Sequence, residues 1–261
     1  MNSTATINTD NFSWERTMMV ARYYYPALRL QLMLYPAVSA AVGIVTFFMF
    51  NSPIWTIFGG LLTFVLQLML YIAPIAFTIR SNRAIETMLP AKWQEKATFI
   101  LLYTFIVIPI LVYVPKYLCH TLLSTFITGN SLMLEINKIS NEISSFYTYF
   151  INIVQELVPL ATCLFVVVWR NSNRALLGSV WAIVSLVVMA IIGGIIGFFM
   201  VFRSGVANDI LMHPEMAETP NFAIRIADSL YPYMLVFGLV CLIYVGLMIY
   251  FTARRFKTAQ F

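Results

Sequence analysis

Charge is what this sequence has least of. Asp, Glu, Lys and Arg make up only 10 % of its 261 residues and apolar types make up 61 %, where a soluble domain carries roughly a quarter charged residues. That balance excludes soluble enzymes, nucleic-acid binders and disordered chains, and leaves an all-α polytopic membrane protein. Histidine and cysteine are scarce as well, at two and three residues. Cys119 lies near a membrane edge and Cys163 and Cys241 lie inside apolar runs, so no spacing suggests a disulfide framework or a Cys-x-x-Cys metal site. His213 has Asp209, Glu215 and Glu218 nearby, but Pro214 and the lack of a His-Glu-x-x-His spacing argue against a built metal site. No Gly-x-Ser-x-Gly hydrolase motif and no Gly-x-x-x-x-Gly-Lys-Ser/Thr phosphate loop occurs. The expectation is therefore no enzymatic chemistry, no cofactor and no metal, with any ATP handled by a partner. Residues 1–10 are polar and lack the basic-then-apolar order of a cleavable signal, so the first span is expected to act as the anchor.

Long apolar runs are what the chain has in abundance. A helix needs about 20 mostly apolar residues to cross the hydrocarbon core, and six segments qualify: 30–50, 54–79, 97–118, 147–169, 175–202 and 231–252. Lys and Arg test that division, because they collect on cytoplasmic loops. Arg16, Arg22, Arg29, Arg80, Arg83, Lys92, Lys96, Arg170, Arg174, Arg254, Arg255 and Lys257 fall on one side, which is 12 of the 16 basic residues. Lys116, Lys138, Arg203 and Arg225 fall on the other. Both termini are accordingly expected in the cytoplasm, giving a cytoplasmic segment 1–29, a single six-helix membrane domain 30–252 and a basic tail 253–261. An odd number of spans would break the alternation.

Ahead of the first span, Ser13 can cap a helix in which Trp14, Met18, Ala21, Tyr24, Tyr25 and Leu28 gather opposite Glu15, Arg22 and Arg29. This is the pattern of an interfacial helix, ended or kinked by Pro26; the competing reading is the cytoplasmic start of the first span. The segment 80–96 has apolar residues at helical spacing on a short charged element, as a helix docking on a partner would, or as a turn resting on the membrane surface. Outside, residues 118–146 are expected to extend the neighbouring spans, and 203–230 to form one or two short helices.

One ionisable residue falls well inside a span. Glu156, with Asn152, Gln155 and Pro159 beside it, is either a pathway or relay carboxylate or a residue near the outer interface paired with Lys116 or Lys138. Gly193 and Gly197 form a Gly-x-x-x-Gly pair suited to close helix packing.

The layout resembles the permease subunits of ATP-binding-cassette exporters of the six-span type. The words NRAIETMLPAKWQEK are also similar to a segment of permease-like membrane proteins of Bacteroidetes. The resemblance implies an N-terminal interfacial helix, a coupling helix at 80–96 that engages a separate ATPase, short helices at 203–230, and pairing with a second permease, as homo- or heterodimer, in the inner membrane. Glu86, Leu89, Pro90, Trp93, Glu95 and Lys96 would then form the docking surface. The rivals are a non-transporting membrane scaffold or accessory protein displaying 118–146 to a partner, and an ion-coupled carrier using Glu156.

Overall fold

The computed structural model describes residues 12–49, 53–79, 91–123, 125–126, 143–170, 173–203 and 220–258. Within them the chain forms α1 (Trp14–Met49), α2 (Pro53–Ile72), a 3-10 turn (Ala73–Ile75), α3 (Ala76–Ile79), α4 (Trp93–Leu102), a π-turn (Tyr103–Val107), α5 (Ile108–Leu123), α6 (Ile143–Trp169), α7 (Arg174–Arg203) and α8 (Pro220–Thr258). Five helical stretches are long and apolar enough to cross a membrane, and Ile153–Trp169 on α6 is a further apolar segment. Helices dominate because hydrocarbon offers no partner to an exposed backbone N–H or C=O.

Two expectations about helix ends are corrected. The segment around Ser13 to Leu28 is not a separate helix: α1 runs 36 residues through both Pro26 and Pro36. At 1.5 Å per residue it is about 54 Å long, well beyond an apolar core of about 30 Å. Its face is also shifted from the one the wheel suggested. Thr17, Val20, Tyr24, Leu28, Tyr35, Ser39 and Val42 point inward, at spacings of three and four, while Trp14, Met18 and Tyr25 stay exposed. A Pro in a helix withholds one N–H from the carbonyl four residues earlier, and packing along this inward stripe holds the rest of the helix straight enough to continue. Likewise, residues 220–230 are not separate short helices but the first turns of α8, which continues to Thr258. The segments 127–142 and 204–219 lie outside the described residues.

Where the helices do change pitch, side chains add bonds to nearby carbonyls. Pro74 sits in the 3-10 turn, and there Gln31 Nε2 donates to Ala73 O at 2.9 Å and Tyr35 OH donates to Met69 O at 2.9 Å. Tyr103 OH reaches Gln31 Oε1 at 3.3 Å, tying the third membrane segment to the first. The π-turn precedes Pro109, and the Ile108 N–H that closes it bonds back to Tyr103 O. Beside these breaks Tyr24, Phe77, Phe99 and Tyr103 form an aromatic cluster with centroids 5.4 to 6.4 Å apart, mostly edge to face as ring quadrupoles prefer.

Helix α6 is the axis of the bundle. Val158 to Leu164 are buried on every side, and α6 packs on both α7 and α8. By contrast α7 exposes Val180, Ile183, Val187, Ile191, Ile195 and Phe198 along its length. The tightest approach is between α1 and α5: Ser39 Oγ donates to Val112 O, and a Cβ on Gly43 would collide with the Lys116 carbonyl. Ser39 and Gly43 thus act as a small-x-x-x-small pair. The Gly193 and Gly197 pair does not. A Cβ at Gly197 would meet nothing within 4 Å, and one at Gly193 only the Phe237 ring at 4.0 Å.

Substituting Gly43 by Ala should therefore cost about 1–3 kcal/mol, because the obstructing atoms are backbone and cannot rotate away. Gly197→Ala should be neutral or slightly stabilising through helix propensity. Thermal unfolding of the two variants in the same detergent checks the contrast.

Candidate functional site

Glu156 is thirteen residues from each end of α6, so it lies about 20 Å from either end of that helix. The helix continues well past Glu156 on both sides, while the apolar stretch of α6, Ile153–Trp169, begins three residues before it. Among the described residues its partners are not lysines. Gln67 Nε2 donates to Oε1 at 3.2 Å, and Tyr113 OH donates to Oε2. Gln67 comes from the C-terminal half of α2 and Tyr113 from α5, so three membrane segments meet at one carboxylate. Both donors are neutral, and hydrogen bonds to a charged acceptor contribute more than neutral ones, about 1.5–3 kcal/mol each.

Glu156 borders an open cavity of about 890 Å³ between α2, α5, α6 and α7. Gln67, Gln155, Tyr71, Tyr113, Tyr117 and Lys116 supply its polar wall, and Leu66, Val112, Pro159, Leu186 and Met189 its apolar wall. The Lys116 ammonium stands 5.8 Å from the centre of the Tyr117 ring, within reach of the negative ring face. Gly193 and Gly194 line the α7 side. Their lack of side chains, which does no work in helix packing, leaves this volume open. Asn152 lies one turn before Glu156 on α6, with its side chain outside the described residues.

The docking surface expected at 80–96 divides differently. Glu86, Leu89 and Pro90 lie outside the described residues, and Trp93 and Lys96 are half-buried in the first turn of α4. Glu95 must be removed from that surface, because it is 0 % exposed. Its Oε1 accepts from the Ser13 N–H at 2.9 Å and from Arg16 Nε at 2.9 Å, with the second Arg16 contact at 2.8 Å. Its Oε2 accepts from the Lys92 N–H at 2.8 Å. One carboxylate thus satisfies orphan N–H groups at the starts of two helices, α1 and α4, and favours the positive end of both dipoles. At the same end of the bundle the Arg255 guanidinium lies 5.4 Å from the Trp169 ring, joining the ends of α6 and α8. The sequence marks Glu95 as a charged residue on a short amphipathic element; its partner, 79 residues away, has no local signature.

His120 packs edge-on against Phe47, with centroids 5.7 Å apart. His213, Asp209, Glu215 and Glu218 lie outside the described residues. Comparison with family models, curated proteins and solved structures found no match.

Removing one side of a buried ion pair strands the other, at a cost of about 3–5 kcal/mol. Glu95→Ala should therefore lower stability by that order in equilibrium unfolding in mixed micelles. An exposed substitution such as Gln94→Ala on the same turn should change it by less than about 0.5 kcal/mol.

Proposed function

We propose that this chain is a membrane transport subunit whose substrate enters the cavity around Glu156. The observation that carries the reading is a carboxylate at mid-helix in a cavity of about 890 Å³ walled by four membrane segments. Ionisable groups within membrane segments are costly and belong to pathways when they face a cavity rather than a packed interior. A scaffold needs no such opening at the centre of its bundle.

The resemblance to six-span exporter permeases supplies the energy source in this proposal: a separate ATPase docked on 80–96, with Leu89 and Trp93 as its anchors, in a bacterial inner membrane with both termini cytoplasmic. A second permease completes the unit. The clustering of basic residues supports that orientation. Glu95 contributes indirectly, by holding the start of α4 against α1. The Tyr113 to Glu156 hydrogen bond favours one further reading, a carrier coupled to protons or ions through the same carboxylate.

Affinity purification of the tagged chain in mild detergent should recover an ATPase at near-equal amount, and Leu89→Asp should lose it. Gly193→Leu should fill the cavity without unfolding the bundle, since its Cβ meets only the Phe237 ring at 4.0 Å. It should abolish substrate-stimulated ATP hydrolysis while the complex still assembles. Purification of the chain without any ATPase, together with Glu156-dependent proton or ion flux in proteoliposomes, would replace the exporter by the carrier.

A further inference from the structure

A second opening lies on the other side of α7. It is a groove of about 560 Å³ between α6, α7 and α8, walled by Val158, Val184, Val188, Ile192, Phe237 and Val240 among others. Two of its hydroxyls bond each other and a third bonds its own helix backbone. Thr162 Oγ1 and Tyr244 OH share a hydrogen bond at 2.9 Å, and Ser185 Oγ donates to Ala182 O at 2.8 Å. The groove therefore offers nothing to a polar group and suits hydrocarbon.

Met189 borders both the groove and the Glu156 cavity. Helix α6 likewise turns Glu156 and Pro159 to the cavity and Val158 and Thr162 to the groove. Where the two spaces meet there is one unbranched thioether, with Cys241 Sγ 3.9 Å from its sulfur. Met has three rotatable bonds and adapts readily to irregular space, so the residue shared by the two walls is the one best able to move aside.

The cavity carries charge of both signs. Among the described residues Glu156 is held by two neutral donors and no cation, so its ionised form has no counter-charge there, and Lys116 presents its amine beside Tyr117. An anionic head alone would leave the carboxylate uncompensated, and a cationic head alone the ammonium. Uncompensated charge inside a membrane is expensive.

We propose that the cavity and groove form one site for a single-chain amphiphile with a zwitterionic head: its ammonium toward Glu156, its anionic group toward Lys116, and its apolar tail past Met189 into the groove. The proposal rests on the cavity being the substrate site and adds the substrate's chemistry to it.

Three probes test it by native mass spectrometry of the purified full chain in detergent: lysophosphatidylethanolamine, lysophosphatidylglycerol with the same acyl chain, and glycerophosphoethanolamine, which has the head without the tail. The wild type should bind the ethanolamine lipid at least 10-fold more tightly than the glycerol lipid. Glu156→Gln, which keeps the size and an acceptor oxygen for Tyr113, should erase that preference. Val188→Trp, which fills the groove, should weaken the ethanolamine lipid about 10-fold and leave the tail-less head unchanged. If both ethanolamine probes depend on Glu156 but Val188→Trp changes neither, the amphiphile assignment is overturned and the cavity remains a site for a head-sized zwitterion. If no probe depends on Glu156, the lipids are annular only, and the cavity reading fails with the proposal.

Discussion

In hydrocarbon a polar group that finds no partner inside the protein finds none at all, and this constraint shapes the irregular features of the bundle, with the buried Thr104 hydroxyl in the π-turn as the exception. The backbone answers it by forming helices. Near prolines the bonding changes: the π-turn before Pro109 closes through the backbone bond from the Ile108 N–H to Tyr103 O, and near Pro74 side chains join in, Gln31 and Tyr35 donating to the Ala73 and Met69 carbonyls. These bonds also connect segments distant in sequence, since the groups that complete one helix are carried by another. The same breaks that would weaken an isolated helix thereby cross-link α1, α2 and the third membrane segment.

The two inward carboxylates show how the same rule separates structure from function. Glu95 is surrounded by an arginine and two backbone N–H donors, so its charge is cancelled and its position locked. It clasps two helix starts at one end of the bundle and leaves no room for a ligand. Glu156 has hydrogen-bond donors but no cation among the described residues, and it faces open volume. Charge left uncancelled beside a cavity is an invitation to a ligand of opposite charge, and it carries the transport reading. Glycine divides in a parallel way. Gly43 permits backbone contact between α1 and α5, and Gly178 lets α7 approach α6, where its Cβ would lie 2.9 Å from Val167. Gly193 and Gly194 instead keep a space empty.

Six membrane segments could be read from the sequence because length and hydropathy are summed over about 20 residues, and no single contact alters the sum. The helices Ile143–Trp169 and Arg174–Arg203 accordingly differ from the expected spans 147–169 and 175–202 by four residues or fewer. Glu156 also stood out, since a lone carboxylate in an apolar run is visible without a structure. What the residues could not convey was its company. Gln67 and Tyr113 lie 89 and 43 residues away, and nothing in either segment marks them as its donors.

By itself the sequence determined that this is an all-helical membrane protein, how its hydrophobic segments divide and which end of the bundle collects basic charge; these follow from composition, which acts additively along the chain. The tertiary structure decided which face of α1 is inward, that Pro26 does not end that helix, that Glu95 is a clasp and not a contact surface, and that Ser39 and Gly43, not Gly193 and Gly197, bring helices together. Each of those depends on which segments become neighbours. In a chain whose helices are apolar on most sides, hydrophobic periodicity points weakly to any one face, so neighbours are chosen by shape, small residues and a few buried hydrogen bonds that only the assembled bundle brings into contact.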